Sequence, residues 1–241
     1  MRTLCVTLLG LFLVSGCGSD EPIETSRDSQ PAATEEVAEP RVLTSDELTA
    51  ALLTVDDLPT GFSVDETALE DLESTDEIVR ASGDSCTDLW EATETPFGDE
   101  EYVEASAAFA GGELGPFLTQ DLIAVDESAV ASEFATLQLA IEDCTSLVSR
   151  DADGFETSVE FAPITAPDLG DKNFAFEMRI TYAYGDVEVD ALATMVMTSV
   201  GGNLMILSSI AVEMGEPFEA AEFEALAQVA VARLQDAAAA R

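Results

Sequence analysis

The feature that most constrains the fold is an alternating stretch two-thirds of the way along the chain. Phe174, Phe176, Met178, Ile180, Tyr182 and Tyr184 alternate with Ala175, Glu177, Arg179, Thr181 and Ala183. A period of two is the signature of a strand with one buried face, whereas a helix repeats every 3.6 residues. Gly185-Asp186 then supplies a two-residue loop with Gly first, the composition of a tight hairpin turn. Val187, Val189, Ala191, Ala193, Met195 and Met197 resume the alternation. Pairing across that loop sets Tyr182 against Val189, Ile180 against Ala191 and Phe176 against Met195. Turn and pattern agree, and a slip of one residue would turn every one of these side chains to the other face. Gly201-Gly202 makes the next turn. Leu204 to Val212 follows, apolar on both faces but for Ser208 and Ser209, as in a sheet interior. The expectation is a three-stranded antiparallel meander.

The remaining elements fit around it. Thr44 and Glu47 have capping-box spacing before Leu48, Ala51, Leu52 and Leu53, which predicts a helix over 45–54. Residues 101–110 and Phe117–Val125 read as strands separated by Gly111, Gly112, Gly115 and Pro116. Asp126 caps a helix to about Leu147, with Val130, Phe134, Leu137, Ile141 and Cys144 on one face. Residues 150–171 read as turns with a short strand near Ser158–Phe161. Pro217 opens a last helix with Phe223, Leu226, Ala230 and Leu234 as its stripe. The class is α+β, a mainly antiparallel sheet with helices packed on one face.

At the N-terminus, Arg2 precedes a short apolar run, Thr3 to Val14, and then Ser15-Gly16-Cys17. As a helix the run would span roughly 18 Å, short of a ~30 Å hydrocarbon core. Charge, apolar run and small residues make an export signal over 1–16. A Cys directly after the small residues resembles the lipobox of bacterial lipoproteins. That resemblance implies diacylglyceryl transfer to the Cys17 thiol and cleavage before it. Residues 17–43 would then be a lipidated, acidic, disordered tether, reaching about 28 Å on average. Residues 44–236 would be one α+β domain, and 237–241 a frayed alanine-rich end.

Charge and residue types narrow the chemistry. The chain has 49 acidic residues against 9 basic ones and no His. Such a balance excludes nucleic acid, which needs phosphate-neutralising cations. It also opposes close contact with anionic head groups. The absence of His removes His-based triads, bases and metal ligands. With so many carboxylates, a glycosidase-like pair can be found anywhere and carries no weight. Asp151-Ala152-Asp153-Gly154 with Glu156 lacks the spacing of a calcium loop and reads as a turn. No cofactor, metal or catalytic residue is expected. Phe174, Phe176, Met178, Met195 and Met197 form either an adaptable ligand surface or core under a helix, and core is the expected use. Arg179, on the opposite face with Glu177, is either a contact for an anionic ligand or a cross-strand partner of Asp190 or Glu188, and the cross-strand pair is the expected use.

Of four cysteines, Cys5 leaves with the signal and Cys17 takes lipid. Cys86 and Cys144 remain, and in an oxidising compartment they are expected to form a disulfide. It would close about 59 residues, for at most ~4 kcal/mol of chain-entropy stabilisation. Leu48-Thr49-Ala50-Ala51-Leu52-Leu53-Thr54, then Asp57-Leu58-Pro59-Thr60-Gly61-Phe62, then Cys86 with Trp90, resemble the PknH-type extracellular sensor domain of actinobacteria. The chain departs from that family in having no Cys after Cys144 for a second, C-terminal disulfide. The resemblance implies a non-catalytic envelope module that binds a small ligand or an envelope protein. It would be held to the outer face of the cell membrane through Cys17. Two other readings are a lipid or glycolipid carrier and a cell-wall hydrolase. Ligand residues and oligomeric state are not legible in the sequence.

Overall fold

The alternating stretch forms the longest strand pair among the described residues. In the computed structural model Lys172–Tyr184 pairs with Val187–Val200, and Tyr182, Ile180 and Phe176 face Val189, Ala191 and Met195 as the turn predicts. Gly185 takes the positive φ that such a loop needs. The structure describes residues 40–67, 86, 97, 100–150, 155–212 and 215–240. The expected signal, Cys17, most of the tether and the Asp151–Gly154 turn lie outside them.

In chain order the elements are α1 (Ser45–Ala51), a 3-10 turn (Val55–Asp57), β1 (Ser63–Val64), β2 (Val103–Ala110) and β3 (Phe117–Ala124). Then come α2 (Glu127–Asp143), β4 (Ser146–Arg150), β5 (Glu156–Pro163), β6 (Lys172–Tyr184), β7 (Val187–Val200), β8 (Asn203–Val212) and α3 (Ala220–Ala239). The strands make one eight-stranded sheet ordered β1-β2-β3-β8-β7-β6-β5-β4. Every neighbouring pair is antiparallel. The expected α+β class and the β6–β8 meander are both present.

The helices divide between two faces, where one covered face was expected. Leu118 and Leu122 of β3, Val196 and Val200 of β7, and Met205 and Leu207 of β8 are buried in one cluster with α1 and α3. Their strand neighbours Ile123, Met197 and Leu204, with Phe174 and Phe176 of β6, are buried in a second cluster with α2. Successive residues of a strand point to opposite faces. Strands apolar at both parities therefore need cover on both sides. Each fully buried Leu or Phe contributes ~1.5–3 kcal/mol relative to exposure, so neither face can stay open. Phe174, Phe176 and Met197 are thus core beneath α2.

The Cys86–Cys144 disulfide is formed, with the Cα atoms 4.9 Å apart. It belongs to the α2 cluster, and Cys144 points inward as the helix spacing requires. Four helix boundaries differ from the sequence expectation, the first in α1, which ends at Ala51 and not at residue 54. Helix α2 stops at Asp143, because Ser146–Arg150 pairs with β5 as an edge strand. Helix α3 begins at Ala220 behind Glu219, three residues after Pro217. It also runs to Ala239, through alanines expected to fray, and Ala238 is buried.

That helix end is held by the start of the domain. Arg41 donates from Nε to the Ala240 carbonyl at 2.8 Å and through Nη2 to that of Ala237 at 3.3 Å. A cation at a helix C-terminus satisfies orphan carbonyls and opposes the dipole. The same guanidinium is bidentate to Glu47, at 2.8 and 2.7 Å. Glu47 closes the capping box on Thr44. Asn203, fully buried, accepts from the Leu43 amide and donates to the Arg41 and Val200 carbonyls, each at 2.9 Å. Residues 41–43, assigned to the tether from sequence, are therefore built into the domain.

Two predictions follow from this clamp. The Arg41 guanidinium, and then the Thr44 amide and hydroxyl, pull the Glu47 carboxyl from 4.5 down to about 2. A carboxylate held low in the folded chain adds stability above its unfolded value and loses it as pH falls through the folded value. Thermal unfolding should therefore show Glu47→Gln losing less stability than the parent between about pH 4.5 and 2. Parallel losses would contradict the pairing. Asn203→Ala strands one buried amide and two carbonyls and should cost about 2–4 kcal/mol in urea unfolding, at unchanged m-value.

Candidate functional site

Both helical covers sit over the base of the β6–β7 hairpin. Burial runs along Phe174–Phe176 and Val196–Val200, while Glu188 to Asp190 at the far end are exposed. On the α1/α3 face this leaves a strip of sheet beyond the helices. Its floor has two cross-strand rows. One is Ser158, Thr181 and Asp190; the other is Glu160, Arg179, Leu192 and Ala211. The connection from β8 to α3 forms a wall through Gly215 and Pro217, and the open groove holds about 350 Å³.

The wall has defined supports. Phe218 stacks on Phe62 at 5.3 Å between ring centroids and meets Phe223 at 6.1 Å. The Gly215 amide donates to the Val212 carbonyl at 2.6 Å. A Cβ at Gly215 would run into the Leu114 carbonyl oxygen, so the chain passes there only as glycine.

Charge within the groove is arranged unevenly. The Thr181 hydroxyl donates to Asp190 Oδ1 at 2.6 Å, which fixes that carboxylate. Arg179 is exposed, lies directly across from Glu160 on β5, and has no hydrogen-bond or ion-pair partner among the described residues. The expected pairing of Arg179 with Asp190 or Glu188 does not form. The hairpin register sets Leu192 opposite Arg179, gives Asp190 to Thr181, and places Glu188 opposite Ala183. The groove thus offers one unengaged guanidinium, two carboxylates and two hydroxyls beside apolar Leu192, Ala211 and Pro217. This set can bind charges of both signs at fixed places. Among the described residues no three His, Cys, Asp or Glu side chains are grouped to hold a metal ion.

Other ionisable groups are explained by packing. Burial raises the Asp121 carboxyl, opposed by a 2.6 Å bond from the Ser106 hydroxyl. Burial likewise raises Glu133, which accepts from the Phe97 amide at 3.4 Å and ties that segment to α2. Beside it Asp126 accepts from the Ser128 amide as the α2 N-cap.

Of the residues singled out from sequence, Arg179 lines the groove and the cysteines do not. Cys86 and Cys144 sit on the opposite face of the sheet, and Cys17 is outside the described residues. The groove escaped sequence reading because the strand near Ser158–Phe161, though expected, had no assigned partner, and only its pairing with β6 sets Ser158 and Glu160 beside Thr181 and Arg179. The one available signal was Arg179, a cation on a strand face in an acidic chain.

No family model matches this chain, and no curated protein matches it in sequence. Among solved structures, the extracellular domain of PknH from Mycobacterium tuberculosis is similar in fold, with a TM-score of 0.52 and 11% identity. The similarity covers 82% of this chain and 97% of that domain.

If Arg179 holds nothing within the domain, removing its charge should not unfold it. Arg179→Gln should change unfolding free energy by no more than about 0.5 kcal/mol, the usual range for surface positions without structural partners. A loss above about 1.5 kcal/mol would show instead that the arginine is structural.

Proposed function

We propose that this chain is a cell-envelope lipoprotein, anchored through Cys17 to the outer face of the membrane. Its domain is a non-catalytic, sensor-like module that binds a ligand in the groove over β5 to β8. The observation that carries the reading is the fold likeness, which takes in nearly the whole of the extracellular domain of PknH. The short apolar run before Ser15-Gly16-Cys17 and the Cys86–Cys144 disulfide are consistent with export. No helix among the described residues is long and apolar enough to cross a membrane. The carrier alternative calls for an enclosed, apolar cavity, and the groove is open and floored with charge. The hydrolase alternative has no supporting residue set among the described residues.

The anchor is tested by Cys17→Ala in a bacterial host that processes lipoproteins. The parent should fractionate with membranes and lose residues 1–16 by mass spectrometry. The variant should accumulate as the uncleaved form without the lipid mass. A variant that is cleaved and membrane-bound like the parent would overturn the anchoring.

A further inference from the structure

We propose that the groove recognises a small zwitterion, an α-amino acid or a short peptide with free amino and carboxyl ends. This deepens the reading of the groove as a ligand site and rests on it. The ligand carboxylate sits against Arg179, and its ammonium sits against Glu160 or Asp190.

The first ground is how this chain spends its cations. Against 49 acidic residues it has 9 basic ones. Arg41 is committed to Glu47 and the end of α3, and Arg233 to Asp57 at 2.8 Å and the end of α1. Arg179 has carboxylates in adjacent sheet positions and engages none of them. A guanidinium is a planar fork matched to a carboxylate, and its bidentate pairs are short and charge-assisted. Left open on a sheet floor, it is a receptor for such a group.

The second ground is the sign pattern around it. A simple anion at Arg179 would meet Glu160 directly across β5. A simple cation at the carboxylates would meet Arg179. A molecule carrying both charges satisfies all three groups at once. Glu160 and Arg179 are direct cross-strand neighbours, which puts their Cβ atoms about 5 Å apart, and Asp190 is a diagonal neighbour at about 7–8 Å. Those spacings fit charges a few bonds apart. They do not fit a long polyanion or polycation.

The third ground is preorganisation and size. The Thr181 hydroxyl holds Asp190 before any ligand arrives, so less ordering is needed on binding. Leu192, Ala211 and Pro217 give apolar surface for the ligand's carbon frame. Drug-sized ligands fill pockets of about 300–1,000 Å³. At about 350 Å³ the groove is at the small end, right for one amino acid or a dipeptide.

Calorimetric titration of the full chain in detergent tests this. The probes are free alanine, leucine and alanyl-alanine in both chiral forms, each with its N-acetyl and C-amide counterparts. At least one free form should saturate below about 10 mM, and either cap should weaken it by about tenfold or more. Arg179→Gln should remove the preference for a free carboxylate, and Arg179→Lys should restore it in part. Combined Glu160→Gln and Asp190→Asn should remove the preference for a free ammonium. If capped and free forms bind alike but Arg179→Gln abolishes binding, the zwitterion is wrong and the groove remains the site. If no probe saturates, the proposal fails. If binding persists unchanged in all variants, both the proposal and the groove reading fail.

Discussion

The structure depends on a sheet whose central strands are apolar on both faces. β3, β7 and β8 place Leu, Ile, Val and Met at odd and even positions alike. Such strands cannot sit at a protein surface, and a single layer of helices would leave half of their apolar area in water. Helices α1 and α3 cover one side, and α2 with the disulfide covers the other. The cover is shorter than what it covers. β6 and β7 run 13 and 14 residues, and burial is concentrated in the half next to the β7–β8 turn. The uncovered half carries polar side chains on the α1/α3 side, and the groove is the place where helix cover ends.

The start of the domain is joined to that base by two buried amides rather than by apolar contact alone. Asn203 holds Leu43 and Arg41, and Gln120 accepts from the Leu53 amide at 2.7 Å, both fully buried. Each bond costs little while made and much when one partner is lost, because the remaining group stays buried without water. The segments on either side of α1 can therefore dock in one position only. Leu48, Leu52 and Leu53 gain their burial from that placement.

What was legible in the sequence is what depends on local rules. The hairpin register followed from a two-residue loop and a period of two, and it held at every pair from Lys172–Ser199 to Tyr184–Val187. The α1 capping box and the inward direction of Cys144 came from spacing along one helix. Strand β4 did not, because Ser146–Arg150 is an edge strand of five residues with little apolar alternation. Its existence depends on β5, a non-local partner. The helices' division between two faces was hidden for a similar reason. Each apolar parity of β8 is visible in sequence, yet which helix covers which parity is a tertiary fact. Arg179 was visible as a cation on a strand. Its freedom from Asp190 required the register to be followed one residue further, to Leu192 and Thr181.

The direction in which the chain enters the domain bears on what the groove can meet. Pro40 packs against Gly201 in the β7–β8 turn, and Arg41 binds the last carbonyls of α3. The groove begins at the other end of both elements. Asp190 is ten residues before Val200 along β7, about 34 Å of strand, and Pro217 lies before the first turn of α3, a helix about 30 Å long. Pro40 and the groove are thus at opposite ends of the hairpin. The field of the acidic surface attracts the ammonium end of a zwitterion from a distance, while discrimination is left to the single guanidinium that meets the carboxylate at contact range. In a chain this acidic, one unpaired arginine is therefore enough to decide which end of a ligand goes where.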